Sequence, residues 1–190
     1  MRVAFVPSAP RVLLGHLREE CAPALAVLGD DVVVVGAHDV DGWVEGVVDA
    51  GPWTTGTRHP DALPLALAVG AHLLGRPARL WGTTGQPPPP GADLLVVADG
   101  TAKRTEKAPG HYDPRAEDFD RQVQNALAAG DPAALLALAP TLADDLWVQG
   151  VPAWRAAAQV ATGPWRATVH WADAPHGVGY VVASWVPLQE

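Results

Sequence analysis

The sequence contains a single cysteine, Cys21, which excludes an internal disulfide and any cysteine-rich metal site. It also contains no cluster of basic residues. The 21 Asp and Glu residues outnumber the 13 Lys and Arg residues, and the formal net charge is −8. Nucleic acids and anionic membrane surfaces bind basic patches, so we expect neither as a partner.

Long hydrophobic runs are absent as well. No apolar run approaches the roughly 20 residues that a membrane-spanning helix requires. The first apolar run is broken by Pro7 and Pro10 and lacks the long apolar core and cleavage site of a signal peptide. These features predict a cytoplasmic protein. With 190 residues, 48% of them hydrophobic, the chain is long enough to form one domain spanning residues 1–190.

Short apolar runs alternate with helical patterns along the chain. The runs at 2–6, 32–35, 78–81 and 93–98 are typical of buried strands, and 114–129 has the apolar spacing of an amphipathic helix. Helices are also predicted over 11–28, 59–75, 140–148 and 151–161, a hairpin over 43–57, and a closing antiparallel pair at 165–171 and 178–186. This alternation predicts an α/β fold: a three-layer α/β/α domain with a mainly parallel central sheet.

The stretch from Asp93 to Asp120 holds the strongest functional signal. Its strand leads into a long polar loop, and ligands of α/β proteins bind at the carboxyl ends of such strands. We therefore expect this loop to form one wall of a pocket. Asp99 is a candidate metal ligand, a candidate partner for Lys103, or a cap for the turn that follows it. Lys103 is a candidate base, a partner of Arg104 in binding an anion, or part of a solvated cationic loop.

Other polar residues follow the earlier strands. His38 ends the run of valines and is either a metal or substrate contact or a loop histidine bonded to its own backbone. Ser8 lies between prolines, which favours a role in a turn. A role as a nucleophile is less favoured, because no nucleophile elbow surrounds it. His59 is a candidate substrate contact or a helix cap. The proline-rich loop at 82–91 lacks the Lys of a phosphate-binding loop.

The segment VVADGTAKRTEKAPGHYDPRAEDFDRQVQNALAAGDPAALLAL and the ending APHGVGYVVASW resemble the LigB-type class III extradiol dioxygenase superfamily, and more closely its short actinobacterial LigB-like and Memo-like members. The resemblance is clear over 93–185 and extends more faintly to PSAP and VVVVGAH. It implies a LigB-like fold. It also implies Fe(II) held by two His and a carboxylate, a further His as acid/base, and a catechol substrate.

Carried over onto this chain, the first His ligand falls on Ser8, the second on His38 and the acid/base His on Lys103. The carboxylate ligand has no counterpart. The resemblance therefore leaves two functions open. One is a divergent, Fe(II)-dependent extradiol dioxygenase with catalytic residues Lys103 and Asp99, metal ligand His38, and substrate contacts Ser8, Arg104 and His59. The other is a catalytically inactive relative that binds a small aromatic or anionic molecule or a protein partner. A homo-oligomer is compatible with both.

Overall fold

A computed structural model describes residues 1–188 of the chain. Within them, seven strands form one sheet. The strands are β1 (Val3–Val6), β2 (Val32–Ala37), β3 (Gly42–Trp43), β4 (Arg79–Thr83), β5 (Asp93–Val97), β6 (Trp165–Asp173) and β7 (Tyr180–Pro187). The α-helices are α1 (Arg18–Leu25), α2 (Gly51–Thr54), α3 (Leu65–Leu74), α4 (Ala116–Ala129), α5 (Pro132–Leu136), α6 (Pro140–Asp145) and α7 (Val151–Val160). The structure is therefore mixed α/β.

The strand order across the sheet is β3-β4-β2-β5-β1-β7-β6. The four central strands, β4, β2, β5 and β1, are parallel to one another. The outer pairings, β3 with β4, β1 with β7, and β7 with β6, are antiparallel. Parallel and antiparallel pairings are thus equal in number, and the expected predominance of parallel pairing is not confirmed.

Alternate residues of the central strands enter two separate apolar clusters. Phe5 of β1 packs with residues of α4 and α7, whereas the preceding Ala4 packs with residues of α1 and α3. Because side chains alternate along a strand, this division requires apolar residues at every position, as the runs VAFV and DLLVV provide. Apolar burial on both sides of the sheet fixes the central strands and holds their carboxyl ends in place.

The helical prediction over 114–129 is confirmed with a two-residue shift at its start. Phe119, Val123 and Leu127 lie on one side of α4 and are buried, at the spacing that a helix requires. The helix ends at Gly130, which adopts the left-handed conformation (φ 63°) that favours glycine. Its opposite face is exposed, so α4 packs through a single apolar stripe.

Three local predictions differ from the structure. The helix predicted over 59–75 begins only at Leu65, after Pro64. The helix over 11–28 is divided into a 3₁₀ turn (Pro10–Leu14) and α1, because Gly15 and Leu17 both adopt positive φ between them. The hairpin over 43–57 does not form. Trp43 pairs instead with Trp81 of β4, and the segment continues into the short helix α2. Gly and Pro in this segment favour turns over a continuous strand.

Among residues 1–188, no helix combines the length and apolar character that crossing a bilayer demands.

Candidate functional site

The carboxyl ends of β1, β2 and β5 meet at one edge of the sheet, because the three strands are parallel neighbours. Ser8, His38 and Asp99 lie just beyond these three ends. Sheet topology therefore brings to one edge three residues that are far apart in sequence. Their contacts differ, however, and they divide between a buried hydrogen-bonded network and an open cleft.

Ser8 and Asp99 contact each other directly. The backbone N–H of Ser8 donates to Oδ1 of Asp99 at 2.6 Å, and the Ser8 hydroxyl donates to Oδ2 at 2.7 Å. Burial raises the pKa of Asp99 to about 6, and the two hydrogen bonds from Ser8 oppose that rise. Burial also raises the pKa of the neighbouring Tyr180 to about 12, and the negative charge of Asp99 adds to this effect. Both carboxylate oxygens of Asp99 are thus occupied by Ser8.

The loop between β5 and α4 is organised around a second buried carboxylate, Asp120. The backbone N–H of Thr101 donates to Oδ1 at 2.8 Å, and its hydroxyl donates to Oδ2 at 2.9 Å. Arg104 donates to the same Oδ2 at 3.0 Å, and Asp120 is only 4% exposed. Burial raises the pKa of Asp120, while these three hydrogen bonds limit the rise. Arg104 therefore neutralises an internal carboxylate and holds the loop on α4.

Two glycines permit this carboxylate to approach the backbone closely. A Cβ on Gly179 would lie 2.2 Å from Oδ2 of Asp120, and a Cβ on Gly100 would lie 2.4 Å from Oδ1. The N–H of Gly100 also donates to the carbonyl of Gly179 at 2.7 Å, which joins the loop to the start of β7. The sequence motifs DGT, EDFD and GVGY thus meet at one structural cluster, where glycine is required by space.

Lys103 lies on the outer side of the same loop. Its ammonium group sits 5.4 Å from the ring centroid of Trp147, at the distance of a cation–π contact. Its aliphatic chain packs against Gly110, where an added Cβ would lie 2.7 Å from Cγ of Lys103. Asp113 donates its backbone N–H to the Lys103 carbonyl at 3.0 Å. Lys103 thus joins this loop to Trp147.

His38 follows the predicted alternative of a histidine bonded to its own backbone. Its Nδ1 accepts the N–H of Val40 at 3.1 Å, so a neutral His38 carries its proton on Nε2. Its Cβ and Cγ pack closely over Gly82. His38 also lines the adjoining cleft, where a proton on Nε2 would make it a hydrogen-bond donor.

His59 lies near α2. Its backbone N–H donates to Asp49 at 2.7 Å, and its Nδ1 accepts the N–H of Asp61 at 3.1 Å. The hydrogen bonds from His59 and Gly51 lower the pKa of Asp49. These contacts close the turn that precedes α3.

The principal cleft, which we call the strand-end cleft, has a volume of about 890 Å³. One side is formed where β2 and β4 end, and the other by α6, α7 and the turn between them. Its lining residues are Ala37, His38, Asp39, Thr84, Pro140, Ala143, Asp144, Trp147, Val148, Gln149, Val151, Pro152 and Arg155. None of the residues 93–120, which were expected to form one wall, lines this cleft; the loop touches it only through the contact of Lys103 with Trp147.

Sequence reasoning missed the second side of this cleft. Trp147 is 52% exposed and adopts a left-handed conformation (φ 57°), which is uncommon for a large side chain. Arg155 is the only basic residue of the otherwise uncharged α7, and its Nη1 donates to the Leu136 carbonyl at 2.8 Å. A lone Arg in an alanine-rich helix was the available signal, but its position facing β2 depends on how α7 packs.

The iron site implied by the resemblance does not fit the residues at this edge. Ser8 is bound to Asp99 rather than free to coordinate, and Nδ1 of His38 already accepts the N–H of Val40. Over residues 1–188, no group of three His, Cys, Asp or Glu side chains has an arrangement that could hold a metal ion. A non-haem iron site of the facial type needs three such ligands.

Comparison with family models and with curated proteins found no match for this chain.

Proposed function

We propose that the protein is a divergent, LigB-like α/β/α protein whose strand-end cleft binds a small aromatic carboxylate. The proposal combines the family resemblance of the 93–185 segment with the position of the cleft at the carboxyl ends of parallel strands, where ligands of open α/β sheets bind. The proposed role is binding rather than iron-dependent ring cleavage, because the candidate ligands do not converge.

The observation that carries the proposal is the pairing of two hydrogen-bond donors across the cleft. Arg155 lines one side, and His38 lines the other with its Nε2–H available as a donor. A guanidinium group suits a planar carboxylate because two of its N–H groups can bind both oxygens. Nη1 of Arg155 is already anchored to the Leu136 carbonyl, which fixes the direction of the side chain.

An aromatic ring has a complementary surface in the same cleft. Trp147 offers its indole face, and Val148, Val151 and Pro152 add apolar surface beside it. The ammonium group of Lys103 lies 5.4 Å from the centroid of the Trp147 ring, and this cation–π contact favours the observed position of the ring. A cleft of this volume with a few converging polar groups is typical of small-molecule sites.

Two carboxylates, Asp39 and Asp144, also line the cleft. Both are exposed, and each can accept a hydrogen bond from a ligand hydroxyl. Ring hydroxyls in addition to the carboxylate would satisfy them. A hydroxylated benzoate therefore matches the polar groups of the cleft better than a phosphate ester does.

Protocatechuate, a benzoate with two adjacent hydroxyls, tests binding and ring cleavage with one probe. Isothermal titration of the metal-free protein is expected to show binding that Arg155→Gln and Trp147→Ala each weaken by about tenfold, the effect of one good contact of about 1.4 kcal/mol. Arg121→Gln, a change at an exposed arginine of α4 away from the cleft, serves as the matched control and should leave the affinity unchanged.

Extradiol cleavage is tested on protein loaded anaerobically with Fe(II) and then exposed to oxygen. We expect no ring-opened product in the absorption spectrum. Ring opening would establish the divergent dioxygenase instead. Absence of protocatechuate binding, or equal binding by Arg155→Gln, would contradict the proposed site.

A further inference from the structure

The strand β6 forms one end of the sheet. It is nine residues long and pairs with β7 on one side. Within residues 1–188, no other strand pairs with its outer side. The opposite end of the sheet is different, because β3 has only two residues. Long edge strands present unpaired N–H and C=O groups that can pair with another chain.

A bulge at His170 determines which way the side chains of β6 point. Val169 lies opposite Ala183, whereas Trp171 lies opposite Val182, so His170 is the additional residue. Val169 packs on the cluster beside α4 and α7, and Trp171 packs on the cluster beside α1 and α3. The bulge therefore reverses the alternation of side chains between the two faces of the sheet. A residue before the bulge and a residue after it share a face when their sequence numbers differ by an odd number.

This reversal places Arg166 and Asp173 on the same face of the sheet. Arg166 pairs with Val186 and points away from the face of Trp165, while Asp173 pairs with Tyr180 and shares the face of Trp171. Both charged side chains are exposed. The acidic and the basic residue thus lie near opposite ends of one edge strand, on one face.

We propose that β6 pairs antiparallel with β6 of a second copy of this chain, with Arg166 opposite Asp173 at both ends. In this register Ala167 lies opposite Ala172 and Thr168 opposite Trp171. The two-fold axis passes between Val169 and His170, so the two bulges meet at the centre.

The proposed register is selected by side-chain direction and by charge together. A shift of one residue places residues from opposite faces across from each other, which a continuous sheet does not allow. In the proposed register each pair of opposed residues outside the bulge shares a face, and opposite charges directly across an antiparallel pair stabilise it. The pairing is symmetric, as expected for a two-fold dimer.

Local charge favours this edge for self-association. The chain has a net charge of −8, so most of its surface is expected to repel a second copy. On β6 the positive charge of Arg166 and the negative charge of Asp173 cancel. The one other ionisable side chain of this strand is His170. Burial lowers the pKa of His170, and its Nε2 contacts the Ser184 hydroxyl at 2.9 Å.

Sedimentation velocity over a concentration series tests the proposal. The unaltered protein is expected to dimerise below about 100 µM, a modest affinity for a short edge contact. Arg166→Asp and Asp173→Arg each replace two attractive pairs with two repulsive ones and should weaken dimerisation by about tenfold or more. The double variant, Arg166→Asp with Asp173→Arg, restores both pairs with exchanged charges and should recover the dimer.

An equimolar mixture of the two single variants provides the sharpest control. A heterodimer of Arg166→Asp with Asp173→Arg has an attractive pair at each end, so we expect the mixture to dimerise although each variant alone does so weakly. Circular dichroism and thermal melts verify that the exposed substitutions leave the fold intact. A protein that stays monomeric throughout the series would overturn the proposal, as would a dimer that neither single substitution weakens.

Discussion

The partly buried carboxylate Asp99 gives a prediction about stability whose sign and size follow from its surroundings. Burial raises its pKa from 3.8 to about 6 in the folded state. Well below pH 3.8 the side chain is protonated in both the folded and the unfolded chain, and its ionisation does not affect stability. As the pH rises towards 6, the unfolded chain releases this proton more readily than the folded chain. The free energy of unfolding therefore falls over this range. The full difference corresponds to about 3 kcal/mol, at 1.36 kcal/mol for each tenfold change.

Asp99→Asn removes this titration while keeping a similar shape. The amide oxygen still accepts the Ser8 N–H, and the amide nitrogen can donate to the Ser8 hydroxyl. The stability of the variant relative to the unaltered protein should therefore increase by about 1.4 kcal/mol between about pH 5 and pH 8. This figure is an upper value, because Asp99 is only partly buried and solvent reduces the penalty.

Urea unfolding followed by tryptophan fluorescence at several pH values measures this difference. The change with pH is the decisive quantity, since the absolute offset also contains altered hydrogen bonds with Ser8. Asp39→Asn, at an exposed carboxylate beyond β2, is the matched control and should show no comparable trend. A constant gap between Asp99→Asn and the unaltered protein, or a gap that narrows with rising pH, would refute the reasoning.

Three further predictions concern packing. Asp120→Ala should cost about 3–5 kcal/mol in urea unfolding, because it leaves Arg104 and Thr101 without their buried partner, whereas Asp118→Ala, an exposed change on the same helix, should cost under about 0.5 kcal/mol. Gly179→Ala should lower the free energy of unfolding by about 1–3 kcal/mol, because the added Cβ would collide with Asp120. Gly29→Ala is the comparison, since the atom nearest its added Cβ is 3.3 Å away; a larger loss of stability for Gly29→Ala than for Gly179→Ala would argue against the close approach. Burial raises the pKa of the Cys21 thiol to about 12, so it should react with iodoacetamide only when the chain unfolds, and fast labelling of the native protein would contradict its burial.

The sequence predicted those parts of the fold that depend on local pattern. The apolar runs of β1, β2 and β5 require burial on both faces, and the spacing of Phe119, Val123 and Leu127 requires one buried helix face. Strand order could not be predicted in the same way. The position of β7 beside β1 and the edge position of β6 depend on contacts between residues more than 150 positions apart, which no local period reveals.

The location of the candidate site could be predicted from local pattern, but the contacts of its side chains could not. A polar residue after each parallel strand predicts a shared edge, and Ser8 and Asp99 do lie in contact there. The partners of each side chain depend on three-dimensional packing. Arg104 was a candidate contact for an anionic ligand, yet its carboxylate partner is Asp120, on the helix sixteen positions further along the chain. Arg155 entered no prediction, because the largely apolar sequence of α7 indicates a helix that packs on the core.

A heteronuclear NMR titration of the metal-free protein with protocatechuate tests most directly where a ligand binds. We predict shifts of the Trp147 indole N–H and the Arg155 side-chain N–H resonances, with the backbone amides of Ser8 and Thr101 unchanged. Shifts confined to Ser8 and Thr101, or shifts that appear only after Fe(II) is added, would contradict the assignment of binding to the strand-end cleft.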